Sequence, residues 1–267
     1  MKKIIVFTAA GLVAAGVWAG SYSQNFNSAS GGTTNLGDGT TISDTGTGHA
    51  QVWDNGGSWK ALRLTQDSNP AVGGASTFAL YDLDAGNAVQ GFTATFDVLI
   101  KNDMGIPADG FSFNFGTLGT LPYGGEEGMY AGTGSMLSIG WDTYDNGGGD
   151  PQSIEVYVNG VSVGNSTVKP PVISSFLSDP FQTVSIAWNS GGLDVTYDGT
   201  AIFTDLNVSG FTPLFGAQFA FAARTGGEDE DVFIDSVSVN TIPEPVGISL
   251  VATVASMAWF IRRRFID

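Results

Sequence analysis

The chain has no cysteine and a single histidine. Without cysteine there is no disulfide framework, no thiolate metal site and no cysteine nucleophile. With His49 as the sole imidazole and no Ser–His pairing, nucleophilic catalysis has no candidates either. Charge is also scarce. Charged residues fill 13% of the 267 positions, against about 25% in an ordinary globular chain. The surface material of a helical bundle or coiled coil is missing, and those classes are excluded. Positive charge is scarcest of all, since 10 Lys and Arg stand against 26 Asp and Glu, a net charge of −16. Half of those bases, Lys2, Lys3, Arg262, Arg263 and Arg264, lie at the two ends. The acids between them are almost uncompensated. Such a body repels phosphate backbones and anionic lipid heads, which argues against nucleic acid as a partner. It suits a cation such as calcium.

What the chain does have is glycine, aromatic residues and alternation. There are 38 Gly and 18 Phe, and 42% of residues are apolar, too many for intrinsic disorder. Phe92, Ala94, Phe96, Val98 and Ile100 alternate with Thr93, Thr95, Asp97 and Leu99, the period of a half-buried strand. Ile154, Val156 and Val158 repeat the pattern, and Asn159-Gly160 predicts a type I′ hairpin into Val161 and Val163. Val184, Ile186 and Trp188 lead through Asn189 to Gly192 into Leu193, Val195 and Tyr197, and Asp198-Gly199 turns the chain again into Ile202 and Phe203. Phe219, Phe221 and Ala223 form a further strand, and Val237 and Val239 the last. The region from Ser21 to Gly48, rich in Ser, Thr and Gly, reads as a strand with long loops. Short strands joined by Gly and Asn turns predict one all-β domain over residues 20–240, a sandwich or jelly roll of antiparallel sheets. There is no internal repeat and no interdomain linker.

The two ends read as processing signals. Met1-Lys2-Lys3 followed by the apolar run Ile4 to Val17 has the form of a signal peptide, residues 1–19, with small residues at Val17-Trp18-Ala19 for cleavage by signal peptidase. At the other end, residues 241–267, Pro243-Glu244-Pro245 precedes an apolar stretch from Val246 to Ile261 and the cluster Arg262-Arg263-Arg264. A hydrophobic segment stopped by arginines orients its C-terminal side toward the cytoplasm. The order of motif, short transmembrane helix and arginine cluster resembles the PEP-CTERM sorting signal of Gram-negative bacteria. That resemblance implies an exosortase as processing partner, a transient membrane anchor, and delivery to the cell surface or extracellular matrix. An ordinary retained tail anchor is the alternative.

The stretch Trp141-Asp142-Thr143-Tyr144-Asp145-Asn146-Gly147-Gly148-Gly149-Asp150 is the most informative. Asp142, Asn146 and Asp150 lie four apart, with a main-chain carbonyl at Tyr144. Calcium takes six to eight oxygens from carboxylates, amides and carbonyls, and this loop supplies a first set. The same pattern also serves as a solvated acidic turn. Upstream lie Ala108-Asp109-Gly110-Phe111-Ser112-Phe113 and Gly124-Gly125-Glu126-Glu127-Gly128; downstream, Phe219 to Val239 contains Ala223-Arg224-Thr225-Gly226 before the last strand. In this order the four motifs resemble those of the legume-type (L-type) lectins of the concanavalin A-like superfamily, from about Ala61-Leu62-Arg63-Leu64 to Val239.

The resemblance implies a concanavalin A-like jelly-roll sandwich and a carbohydrate site built residue by residue. Asp109 becomes the carboxylate that accepts from sugar hydroxyls, after a cis peptide bond to Ala108. Gly125 becomes the main-chain N–H donor, Asn146 the amide shared between calcium and sugar, and Tyr144 the stacking ring. Gly226, Gly227 and Glu228 become the loop that selects the monosaccharide. Taken singly, Asp109 also reads as a strand-end cap, Tyr144 as a packed surface ring and Gly125 as a turn residue. One calcium is expected on Asp142, the Tyr144 carbonyl, Asn146 and Asp150. No manganese site is expected, because Gly140 stands where plant members carry a glutamate and Ser153 or Tyr157 near their histidine. The sequence thus predicts an exported, calcium-dependent binder of a polysaccharide or other glycan. A matrix or adhesive protein that keeps the fold without sugar affinity is the alternative. Glucanases share this sandwich but need paired carboxylates on one strand; Glu155 stands alone, so no enzyme is expected.

Overall fold

The computed structural model describes residues 19–45, 50–68, 70–103, 105–123, 125–129, 136–147, 151–167, 180–208, 211 and 215–243. His49, Asp150 and residues 1–18 and 244–267 fall outside these residues, and with them the apolar stretch from Val246 to Ile261. Among the described residues no helix is long and apolar enough to cross a membrane.

Among the described residues fifteen strands follow one another: β1 (Ser21–Gln24), β2 (Thr41–Asp44), β3 (Gln51–Asp54), β4 (Lys60–Thr65), β5 (Gly74–Ala79), β6 (Val89–Lys101), β7 (Gly110–Gly116), β8 (Met136–Asp142), β9 (Ser153–Val158), β10 (Val161–Thr167), β11 (Gln182–Asn189), β12 (Gly192–Tyr197), β13 (Thr200–Leu206), β14 (Gln218–Thr225) and β15 (Asp231–Pro243). Among the described residues the only helical element is a 3-10 turn, Glu126–Gly128. The strands form two antiparallel sheets. The first runs β13-β12-β11-β6-β15-β4-β3, with β1 also on β15; the second runs β10-β9-β8-β7-β14-β5-β2. Sequence neighbours pair where the turn chemistry demands it. Asn159 and Gly160 both have positive φ (53° and 77°), as do Asp198 and Gly199 (47° and 72°), and two-residue hairpins of the right hand need this.

The sheets meet through an aromatic layer. Phe92 of β6 lies 4.8 Å from Phe115 of β7, and Phe96 lies 4.9 Å from Phe221 of β14, centroid to centroid. Each such ring, buried in full, contributes about 1.5–3 kcal/mol. The alternation along β6 holds for Phe92, Ala94, Phe96, Val98 and Ile100, but Leu99 is buried as well. It packs on the outer face with Ala61 and Phe233, beneath Trp59 and Phe181. β15 continues to Pro243, paired with Val89, so the sandwich takes in the first residue of the Pro-Glu-Pro motif. The ends of the body are tied together: Gly20 N–H donates to Thr241 Oγ1 at 2.8 Å, and Thr241 N–H donates to the Gly20 carbonyl at 2.9 Å.

On the outer face of the seven-stranded sheet, the segment between β7 and β8 folds back over β7 and β14. Tyr123 and Leu121 pack there against Ala79, Ala220 and Ala222. Gly128 follows with φ of 69°, so close that an added Cβ falls 2.7 Å from the Ala223 nitrogen. Only glycine combines that conformation with that approach. The loop is thereby pinned at the sheet end where the site lies.

Candidate functional site

Strand register brings the site together. Gly110 starts β7 opposite Asp142, the last residue of β8, and opposite Arg224 near the end of β14. Asp142 in turn faces Ser153, the first residue of β9. Four loops therefore converge at one end of the seven-stranded sheet, carrying Asp109, Glu126–Gly128, Asp142 to Asn146, and Gly226 to Glu230.

Asp109 is fixed by its backbone. The Ala108–Asp109 peptide bond is cis. The Asp109 N–H donates to the Arg224 carbonyl at 3.0 Å, and its carbonyl accepts from the Thr143 N–H at 3.2 Å. Gly110 must be glycine: its φ is 126°, and any Cβ would overlap the Trp141 carbonyl oxygen. The Asp109 carboxylate packs against Gly226, where a Cβ would sit 3.4 Å from both oxygens. Arg224 Nη1 approaches Oδ2 at 3.1 Å, yet Oδ2 accepts no hydrogen bond and is buried. The guanidinium thus attracts the carboxylate by charge, off the N–H axis. Burial pushes the Asp109 carboxyl up, Arg224 pulls it down and Glu126 pushes it up again.

Gly125 precedes the 3-10 turn with φ of −69°, a conformation open to any residue, and its carbonyl accepts from the Gly128 N–H at 3.0 Å. Tyr144 donates its N–H to Asp142 Oδ1 at 2.9 Å. Asp142 is buried, Tyr144 half-buried and Asn146 exposed. Gly227 is exposed at the loop tip, and the Gly226 N–H donates to the Glu228 carbonyl at 3.1 Å. The structure therefore joins Asp109, the Asp142–Tyr144 segment, the Glu126–Gly128 turn and Gly226. Asn146, Gly227 and Glu228 lie on the same loops, and Asp150 lies outside the described residues.

Three charged residues of the site are given no role by the sequence reading. Glu127 is buried with φ of 53°, and its Cγ lies 3.2 Å from where a Gly110 Cβ would be. Burial, then Asp142, Glu126 and Glu155, push its carboxyl up to about 10. Glu230 is wholly buried, accepts from Thr143 Oγ1 at 3.0 Å through Oε1, and leaves Oε2 without a partner. Burial pushes it up to about 8, with Asp109, Asp142 and Asp231 adding to the shift against the Thr143 bond. Arg224, the third, stands beside Asp109.

A hard divalent cation fits this chemistry. The loop offers the Asp142 carboxylate, the Tyr144 carbonyl and the Asn146 amide, beside a buried carboxylate oxygen that nothing satisfies. Among the described residues no three His or acidic side chains stand close enough to hold a metal by themselves. Behind the loop, Gly140 faces Glu155 across the β8–β9 ladder. A Cβ on Gly140 would meet Met129 Sδ at 2.6 Å, so the methionine fills that space. Ser153 Oγ and Tyr157 OH both donate to Glu155, at 3.1 Å and 2.8 Å. A separate groove of about 400 Å³, lined by Gln90, Trp188, Asn189, Asn207 and Phe211 among others, shares no residue with the site.

No protein-family model matches the chain, and no curated protein matches it in sequence. Solved structures do match. The lectin of Bauhinia forficata in complex with GalNAc superposes with a TM-score of 0.58 at 19% identity, covering 85% of this chain and 99% of that one. Lectin I-B4 of Griffonia simplicifolia, in its metal-free form, gives 0.60 at 17% identity, over 83% and 99%. The exoplasmic/lumenal domain of VIP36, bound to Ca2+ and Man3GlcNAc, gives 0.53 at 14% identity, over 82% and 89%. The chain has the L-type lectin fold. At these identities the likeness concerns architecture: two antiparallel sheets stacked as a jelly-roll sandwich, as the resemblance of the motifs implied. In this L-type lectin fold the four converging loops sit on one sheet end, the arrangement described above from register.

Proposed function

We propose that this protein is an exported, calcium-dependent carbohydrate-binding protein and not an enzyme. The observation that carries the reading is the convergence of four sequence-distant segments on Asp109 at one sheet end. A sugar presents adjacent hydroxyls, each a donor and an acceptor, and the site answers with both. The Asp109 carboxylate accepts, while the Gly125 N–H, the Asn146 amide and the backbone of the Gly226–Glu228 loop donate or accept around it. Tyr144 offers an apolar face to the ring. Calcium on Asp142, the Tyr144 carbonyl, Asn146 and Asp150 would neutralise clustered carboxylates and hold the loop that carries Asn146. The residues of this chain then do the recognising. Met129 filling the space beside Gly140 supports a single metal without a manganese neighbour. The structural relatives seen with GalNAc and with Ca2+ and Man3GlcNAc support the same ligand class.

The terminal segments complete the proposal. Removal of residues 1–19 and processing by an exosortase within residues 241–267 would deliver the sandwich to the surface or matrix of a Gram-negative cell. One observation favours a second reading, a structural or adhesive matrix protein without sugar affinity. Arg224 already lies against Asp109 and covers Oδ2, which a sugar hydroxyl would otherwise reach.

Glycan-array binding of the exported protein, with and without chelator, tests both. Binding that chelator abolishes supports the proposal. Binding undiminished in chelator overturns the calcium dependence, and a calcium-loaded, folded protein that binds no glycan leaves the matrix reading.

A further inference from the structure

Glu230 is a buried carboxylate of the site to which, as to Glu127, neither the motifs nor the proposed function gives a task. It closes the loop between β14 and β15 and is wholly buried. Its Oε1 is held by the Thr143 hydroxyl, while Oε2, buried too, has no hydrogen-bond partner. Among the described residues no lysine or arginine forms an ion pair with it. The charges that act on it, Asp109, Asp142 and Asp231, are all negative.

Buried carboxylates persist when they are paired, hydrogen-bonded or bound to a metal. Glu230 is half hydrogen-bonded and unpaired. A proton on Oε2 neutralises the carboxyl but leaves the O–H without a hydrogen-bond partner. A cation with its water, on the side where Asp109 and Asp142 lie, would supply that partner. Thr143, the donor to Oε1, stands between Asp142 and Tyr144, two of the residues proposed to hold calcium. Its N–H also holds the Asp109 carbonyl, and its carbonyl accepts from Gln152 Nε2. One residue therefore ties the metal loop to Asp109, and Glu230 ties that residue to the last loop.

We propose that Glu230 is an outer carboxylate of the calcium centre, holding Thr143 through Oε1 and balanced at Oε2 by the cation and the water it orders. The proposal rests on the calcium reading and adds a residue of the monosaccharide-selecting loop to it. Calcium binding and the conformation of that loop are then coupled through a single side chain.

The test is calcium titration by calorimetry into chelator-stripped protein, with the melting temperature recorded before calcium is added. Glu230→Gln keeps the size of the side chain and an acceptor for Thr143 but removes the charge. Its calcium affinity is expected to fall about 10- to 100-fold, the usual effect of losing an outer-sphere partner. Without calcium it should melt at or above the wild-type temperature, since the amide is spared the cost of burying a group that ionises in the unfolded chain. Asp82→Asn, the same charge change in the turn after β5 at the opposite end of the seven-stranded sheet, should leave calcium affinity unchanged. An unaltered affinity in Glu230→Gln overturns the proposal, and so does an equal loss in Asp82→Asn. Failure of Glu230→Gln to fold in chelator also counts against it, because the buried carboxyl is there a burden. If the wild type takes up no calcium, the calcium reading falls and this one with it; if only Glu230→Gln is silent, the calcium reading stands.

Discussion

Stripped of calcium, the protein should lose stability as pH rises through neutrality, the reverse of ordinary acid denaturation. Two buried acids set the direction. Glu230 is pushed up to about 8 and Glu127 to about 10, from 4.5, both chiefly by burial. Below pH 4.5 each is protonated in the folded and unfolded chain alike and contributes nothing. Above it the unfolded chain gives up the proton while the folded one keeps it, so the native state binds more protons and stability falls with pH. Each group contributes about 1.4 kcal/mol per pH unit until its folded pKa is reached. Asp231 and Asp235, raised to about 6, are ionised in both states above about pH 6.5 and drop out. Between about pH 6.5 and 7.5 the two glutamates together give a slope near 2.7 kcal/mol per unit, or about 5–11 °C in melting temperature for a body of this size. Above about pH 8 only Glu127 continues. Thermal unfolding in chelator at half-unit pH steps reads this directly, and Glu127→Gln should halve the slope. A melting temperature that is flat or rising across that window would refute the reasoning.

Calcium at a hundred times its dissociation constant should add about 2.7 kcal/mol to the wild type and nothing to Asp142→Asn; a wild-type melting temperature unmoved from chelator to millimolar calcium contradicts the metal site. Asp109→Asn should abolish glycan binding while keeping that calcium-induced shift, and a variant still bound on the array removes Asp109 from the site. Gly128→Ala forces a Cβ to 2.7 Å from the Ala223 nitrogen at a φ of 69°, and an overlap of that kind costs about 1–3 kcal/mol; unaltered denaturant unfolding would show that the loop is not pinned there. Intact mass of the extracellular protein from its native host should correspond to roughly residues 20 to 243, and finding Arg262 to Arg264 in that form argues against C-terminal removal.

The strands were legible where a single physical rule decides them. Asn159-Gly160 and Asp198-Gly199 announce hairpins because both positions need positive φ, and the phenylalanines of β6 alternate because one side faces the other sheet. The same rule misleads about the opposite side. Leu99 is buried under Trp59 and Phe233, and Ser112 and Asn114 are buried on the outer face of β7 where the segment before β8 folds back. A period of two says which residues share a face, not what comes to cover it. The site divides in the same way. Asp109, Asp142 and Tyr144 sit in short ordered motifs and can be picked out one by one. Arg224 acquires its role only from register: β14 pairs with β7 so that Arg224 lies opposite Gly110, next to Asp109. Glu230 belongs to the run Glu228-Asp229-Glu230-Asp231, which read alone is a solvated acidic turn. Yet Asp229 and Glu230 are buried, and Glu127 with them. The acidic surplus is therefore not a surface property throughout. Part of it is packed inside the body against charges of its own sign, with carboxylate oxygens, Asp109 Oδ2 and Glu230 Oε2 among them, left without a hydrogen-bond partner. An arrangement of that kind gains stability from an added cation, which is what the proposed calcium would supply.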